Sequence, residues 1–322
     1  MTRETRRGTR DSATILLCFL SSPNPEFFII AGATAVGKSE LAVAVAERCG
    51  GEIVSADAFQ IYRGLDILTA KPSAELPARV PHHLVGEIPL TQSFDVAQYL
   101  PAARQRIAEI CARGRVPIVT GGTGLYLRAL TRGLAEMPRA DAALRAELEQ
   151  QPLAELQRRL AQLDPLGAAQ IDLKNPRRVI RALEVCQLTG EPFSSFRQQW
   201  ETVPAGIRGI VLTRDREALN ARIDRRTETM FATGVVEEVR ASGEIGPTAS
   251  QTIGLREIRA LLAGQLSQAE CIATIQQNTR RYAKRQMTWF RREPALESVD
   301  LSKADPAQVA ESLAQRAAHP AI

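Results

Sequence analysis

Histidine is almost missing from this 322-residue chain: His82, His83 and His319 are too few and too badly spaced for a histidine-based zinc site, so any metal is expected to be oxygen-ligated. The five cysteines, Cys18, Cys49, Cys111, Cys186 and Cys271, are odd in number and contain no C-x-x-C pair. That excludes a disulfide framework and points to free thiols in a reducing, cytoplasmic compartment. No stretch approaches the roughly 18 apolar residues needed to cross a bilayer. MTRETRRGTR followed by ILLCFL sets positive charge ahead of an apolar run, but the run is short and lacks a small-residue cleavage site. Residues 1–26 therefore read as a disordered extension. Internal repeats, low-complexity tracts and a recognisable dimer seam are absent, so a monomer is expected. Charge is not of one sign either: 41 Lys and Arg against 36 Asp and Glu leave net +5, an excess that matters only where it is concentrated. With 44% apolar residues the chain can bury a core, and its length suits one large domain carrying a smaller one.

What is present is organised around Phe27 to Ser39, FFIIAGATAVGKS. An apolar, β-rich run leads into Gly32-Ala-Thr34-Ala35-Val36-Gly37-Lys38-Ser39, the G-x-x-x-x-G-K-[ST] pattern of a phosphate-cradling loop. The glycines permit tight backbone with inward amides, Lys38 brings a cation to the terminal phosphate, and Ser39 can hold a phosphate-bound Mg²⁺. A helix over Lys38–Cys49 would add its N-terminal dipole.

Further along, Glu52 to Asp57 reads as a buried strand whose polar residues arrive at its carboxyl end, where open α/β sheets bind ligands. Residues 58–66 have no usable period and are expected to form an active-site loop; His82 and His83 are expected in a connecting loop. Phe94–Arg113 repeats apolar residues at helical spacing and stops at Gly114. Val116–Thr120 is a second buried strand opening into Gly121-Gly-Thr123-Gly, which brings Thr123 to the same sheet edge as Ser39 and Asp57. Residues 131–204 contain amphipathic helical patterns and no β-rich segment, including one helix with Asn175 as N-cap and Pro176 at N1. The spacing predicts a helical insertion there, between a first core part at 27–130 and a completion at 205–292, with 293–322 a peripheral tail. Gly209–Thr213 restores a strand, and Arg222 and Arg226 lie one helical turn apart, able to present two cations on one face. Ser267 and Glu270 form a capping box before a long helix. Its end carries Arg280, Arg281, Lys284, Arg285, Arg291 and Arg292, with no acid between Asn278 and Arg292, and interleaved Tyr282, Trp289 and Phe290. Such a patch suits a nucleic-acid backbone.

The expected fold is thus α/β: a P-loop NTPase-like, mainly parallel sheet flanked by helices, with a small all-helical insertion. From these residues alone, a small-molecule kinase, an alkyltransferase holding a diphosphate leaving group, and an ATP-driven nucleic-acid remodeller all stay open. Taken together, GATAVGKS, SADAFQIYRGLDILTAKP, PHHL, GGTGLYLRAL, NPRRVIRALEV, RIDRR and TRRYAKRQMTWFRR resemble the bacterial-type tRNA dimethylallyltransferase family, over about Phe27 to Arg292.

The resemblance implies transfer of a dimethylallyl group from dimethylallyl diphosphate to N6 of adenosine 37, beside the anticodon of tRNAs reading codons that begin with U. A kinase, or an RNA-binding paralogue with weak catalysis, is the alternative. By resemblance, Thr34 to Ser39 hold the diphosphate, Asp57 accepts the amine proton, and Ala58, Phe59 and Gln60 touch the tRNA anticodon arm. Thr123 positions amine and diphosphate, Arg222 or Arg226 clamps the leaving group, and Arg177, Arg178, Val179, Ile180 and Arg181 form a tRNA-contact stretch. The amide of Gln60 has a donor and an acceptor suited to an adenine edge. The chain departs from the family's usual residues at Ala33, Val36, Ala58, Leu68, Gly86 and Leu255.

Overall fold

A computed structural model describes residues 27–197, 206–293 and 295–318. The expected N-terminal extension, residues 1–26, lies outside them, as does His319. The chain divides into two compact units, Arg132–Val203 and the remainder.

The larger unit is built on six parallel strands in the order β3-β2-β4-β1-β5-β6: β1 (Phe28–Gly32), β2 (Gly51–Ser55), β3 (His82–His83), β4 (Val116–Gly121), β5 (Gly209–Thr213) and β6 (Glu297–Asp300). β1 and β2 are buried at every residue, as expected of parallel strands covered on both faces. The register pairs Ala31 with Gly121, Gly32 with Leu212 and Ser55 with Thr120. The chain therefore leaves β1, β2, β4 and β5 at one edge of the sheet, which delivers Ser39, Asp57, Thr123 and the segment after Thr213 to a common neighbourhood.

In chain order the helices are α1 (Lys38–Cys49), α2 (Glu75–Arg79), α3 (Val96–Ala112), α4 (Gly124–Arg132), then α5 (Ala142–Glu149), α6 (Leu153–Leu163), α7 (Pro165–Gln170), α8 (Pro176–Thr189) and α9 (Phe193–Arg197) in the smaller unit. α10 (Arg216–Ala232), α11 (Val235–Ala241), α12 (Leu255–Leu262), α13 (Gln268–Phe290) and α14 (Pro306–Ala318) complete the larger one. α3 begins with a capping box from Asp95 and Gln98, and α13 with the expected one from Ser267 and Glu270. In the smaller unit, Leu148, Leu156, Leu160, Val179 and Leu183 form a separate core. Glu184 is fully buried there and accepts from Arg145, Arg181 and the Asp141 amide. Burial opposes its charge, yet those donors hold its carboxyl below the usual range.

Two expectations are corrected. His82 and His83 are not a loop but an edge strand, paired with Ile53 and Val54; two residues are too short for a period to show. Residues 293–322 are not peripheral: they supply β6, and Ala310, Leu313, Ala314 and Ala317 of α14 enter the main core with Leu41, Val45 and Ala46 of α1. Asn175 is the N-cap of α8 with Pro176 at the start of the helix, as expected; the cap is made by its carbonyl, which accepts from the Arg178 and Val179 amides, and not by its side chain.

Candidate active site

The phosphate loop turns out of β1 and enters α1 through Gly37, whose φ of 108° is left-handed and left uncapped by any side chain. Ala35 also has positive φ, 62°, a cost of about 1–3 kcal/mol for a residue with a Cβ. Four consecutive loop residues each hold a cation. Lys38 Nζ donates to the Ala33 carbonyl at 2.7 Å, Arg226 Nη2 to Thr34 Oγ1 at 2.9 Å, Arg222 Nε to the Ala35 carbonyl at 2.8 Å and Arg214 Nε to the Val36 carbonyl at 3.4 Å. Burial brings the Lys38 ammonium down to about 8, with Asp57 opposing and Arg226 adding to the fall. Arg226 is lowered by burial with Asp57 opposing, and Arg214 by burial and then by Arg222. Cations crowded together at a helix N-terminus form a site for a multiply charged anion. Val36 is itself buried in the core, so it shapes the loop while its backbone does the binding.

Beside this loop, Asp57 follows β2. Its Oδ1 accepts from the amides of Phe59 at 2.9 Å and Gln60 at 3.3 Å, which fixes the carboxylate on the turn. Thr123 Oγ1 accepts from the Ala58 amide at 3.0 Å, and the Thr123 amide donates to the Ala56 carbonyl at 3.1 Å. The two turns are thereby locked together. The glycines of the second turn are needed for close approach: a Cβ on Gly121 would lie 2.2 Å from the Ala56 carbonyl, one on Gly122 2.2 Å from Gln286 Nε2, and one on Gly124 2.3 Å from the Trp289 ring.

A cavity of about 70 Å³ opens between these parts. Its lining includes polar residues, Thr34, Asp57, Arg226 and Tyr282, and apolar ones, Leu68, Met230, Ile253 and Ile275. The Tyr282 phenol is held protonated by burial and by the charge of Asp57. Glu238 accepts from the amides of Ile67 and Leu68, at 2.8 and 2.9 Å, and so sets the wall at Leu68. From the other side Gln60 Nε2 donates to the carbonyls of Thr69 and Ala70. The amide nitrogen of Gln60, expected to be a donor toward an adenine edge, is thus engaged by the wall.

Family models described as "IPP transferase" and "Isopentenyl transferase" match residues 60–293 and 25–79. The tRNA dimethylallyltransferase of Geobacter sulfurreducens is 47% identical over 282 residues, covering 84% of this chain and 91% of that one. Its counterpart in Akkermansia muciniphila is 43% identical over 291 residues, covering 90% and 99%. The chain belongs to the tRNA dimethylallyltransferase family. Among solved structures, the tRNA isopentenylpyrophosphate transferase of Bacillus halodurans is similar with a TM-score of 0.65 at 36% identity, covering 91% of this chain and 97% of that one. A eukaryotic dimethylallyltransferase acting on tRNA is similar with a TM-score of 0.74 at 25% identity, covering 89% and 77%.

In this transferase the remaining candidates fall in two places. On α13, Arg281, Lys284 and Arg285 are exposed, and Arg285 leans over the Tyr282 ring at 5.8 Å. Arg280 differs: its guanidinium pairs with Asp224 of α10 and is spent on holding two helices. On α8 of the smaller unit, Arg177 and Arg178 are exposed, Val179 and Ile180 are in the core, and Arg181 is bound to Glu184 and the Pro138 carbonyl. Only the two exposed arginines offer free side chains to a polyanion. The sequence did not single out Arg214, Glu238 or Gln286 as site residues. Arg214 stands at the exit of β5, a position that a parallel sheet makes functional; the other two carry no local signal. Among the described residues no helix is long and apolar enough to cross a membrane, and no cluster of His, Cys, Asp or Glu could hold a metal.

Proposed function

We propose that this transferase moves the dimethylallyl group of dimethylallyl diphosphate to N6 of adenosine 37 in tRNAs that read codons beginning with U, releasing diphosphate. The observation that carries this reading is the gathering of four cations on residues 33–36, one of which, Arg226, lines a small cavity together with Asp57, while Thr123 is tied to the Ala58 amide next to Asp57. Diphosphate sits in the loop, stabilised by Lys38, Arg222 and Arg226, with Arg214 closing the ring. The C1–O bond breaks with its electron pair leaving on diphosphate, where the cations neutralise the developing charge. The N6 lone pair forms the new bond to C1, and the N6 proton passes to Asp57. Thr123, tied to the Ala58 amide, orients the amine. The alkyl tail packs against Leu68, Met230, Ile253 and Ile275.

Magnesium fits as a substrate-borne ion. Ser39 in the first turn of α1 would hold it together with diphosphate oxygens, and it would add neutralising charge. The adenosine reaches the site by leaving its stack, while Arg281, Lys284, Arg285, Arg177 and Arg178 take phosphates of the anticodon arm.

The test is purified protein, Mg²⁺, dimethylallyl diphosphate and an anticodon stem-loop containing A36-A37-A38. The expected product is RNA heavier by one isopentenyl group without ATP; a requirement for a nucleoside triphosphate, or unchanged RNA mass, refutes it. Asp57→Asn should keep RNA affinity and lose about 10²- to 10⁴-fold in transfer rate. An undiminished rate would remove Asp57 from the role of base.

A further inference from the structure

Gln286 lies on the inner face of α13 with 6% of its surface exposed. Its Oε1 accepts from the Thr34 amide at 2.9 Å and its Nε2 donates to the Gly122 carbonyl at 2.9 Å. One side-chain amide thus joins the loop after β1, which holds the leaving group, to the turn after β4, which carries Thr123. The contact is tight on both sides: Gly122 has no room for a Cβ against Nε2, and the Thr34 whose amide is held also anchors Arg226 through its hydroxyl. Both hydrogen-bonding halves of the amide are used, so neither a carboxylate nor an apolar side chain can replace it fully.

We propose that Gln286 is a positioning residue for the transfer, fixing the distance between the diphosphate and the attacking amine. The proposal rests on the transfer reading given above. In that reading bond breaking happens in the phosphate loop and bond making beside Thr123, so an ångström of slip between the two loops lengthens the path that C1 must cover. Binding does not need that registration: the cations grip diphosphate from residues 33–36, and RNA is met by the opposite, exposed face of the same helix. Loss of Gln286 therefore falls on the chemical step and spares both affinities.

The experiment compares wild type with Gln286→Met, which keeps length and bulk but removes both hydrogen bonds, in single-turnover transfer to the stem-loop at saturating dimethylallyl diphosphate. Rates are expressed per active site, titrated with stem-loop. A fall of about 10²-fold with unchanged KM for dimethylallyl diphosphate and unchanged stem-loop affinity is expected. A merely structural role would lower the number of active sites and leave the rate per site alone; that result overturns the proposal. Gly122→Ala, which drives a methyl group into Nε2, carries the same test if the methionine variant does not fold, and should reproduce the loss in rate. Gln286→Glu retains the acceptor for the Thr34 amide but sets a negative charge against the loop, so it should raise KM as well. A wild type that transfers nothing overturns the functional reading and this proposal with it; an active wild type matched by Gln286→Met overturns this proposal alone.

Discussion

Alkaline pH should disable this enzyme through Lys38. Burial lowers its ammonium from 10.5 to about 8 in the free protein, and the neutral amine can no longer neutralise a diphosphate. The pH dependence of kcat/KM follows the free enzyme, so it should bend near pH 8 and then fall about tenfold per pH unit, to roughly one-tenth at pH 9. Bound diphosphate favours the ammonium and raises its pKa, so kcat should stay flat over the same range. The titration of Lys38 does not itself unfold the protein, because its effect on stability has the opposite sign. Between about 8 and 10.5 the unfolded chain binds the proton and the folded chain does not, so the Lys38 contribution to stability rises with pH in that window. The assay is initial-rate transfer at limiting dimethylallyl diphosphate from pH 6.5 to 9.5, with circular dichroism at each point. Lys38→Arg, which cannot titrate in this range, should be slower throughout and show no bend. A wild-type kcat/KM that stays level to pH 9.5, or a bend retained by Lys38→Arg, would refute the assignment.

Other substitutions separate the parts of the site. Arg214→Ala should raise KM for dimethylallyl diphosphate about tenfold with little change in kcat, since this guanidinium reaches the loop from the β5 exit and not the reacting carbon; steady-state kinetics decide. Replacing Arg281, Lys284 and Arg285 together should weaken stem-loop binding and shallow its salt dependence by about 0.7 to 0.9 in slope per lost phosphate contact, measured by titration at several salt concentrations. Glu184→Gln leaves two arginines facing a neutral buried amide, and should cost the smaller unit about 3–5 kcal/mol in denaturant unfolding while the transfer chemistry is intact at low temperature.

The strands that carry the site were readable because parallel, doubly covered strands are continuous apolar runs: FIIAG, EIVS, VPIVT and GIVLT all appear as such. β3 and β6 were not, because an edge strand has no such run. Glu297 and Ser298 are exposed, and β3 is two residues long. Arg222 and Arg226 were legible from their i,i+4 spacing, whereas Arg214 and Glu238 act through the direction in which a loop or helix happens to aim them. Gln60 shows the reverse failure. Its amide chemistry was read correctly, but the Thr69 and Ala70 carbonyls beside it, which take the donors, are set by a turn whose shape depends on Glu238 nearly 170 positions further along.

The glycine-rich turn after β4 makes the same point about motifs. In sequence GGTG reads as a glycine turn that brings Thr123 to the sheet edge. In the structure Gly121, Gly122 and Gly124 are there because Ala56, Gln286 and Trp289 press against them at distances no Cβ could survive. Two of those three partners come from the RQMTW segment of α13. The turn and the helix are therefore two halves of one packed surface. Rigidity is what the proposed reaction asks of that place, where Thr123 would hold an amine at a fixed distance from a carbon whose leaving group is anchored after a different strand. Requiring glycine on one side and a bulky amide and indole on the other lets the fold hold that distance without adding a residue to the cavity itself.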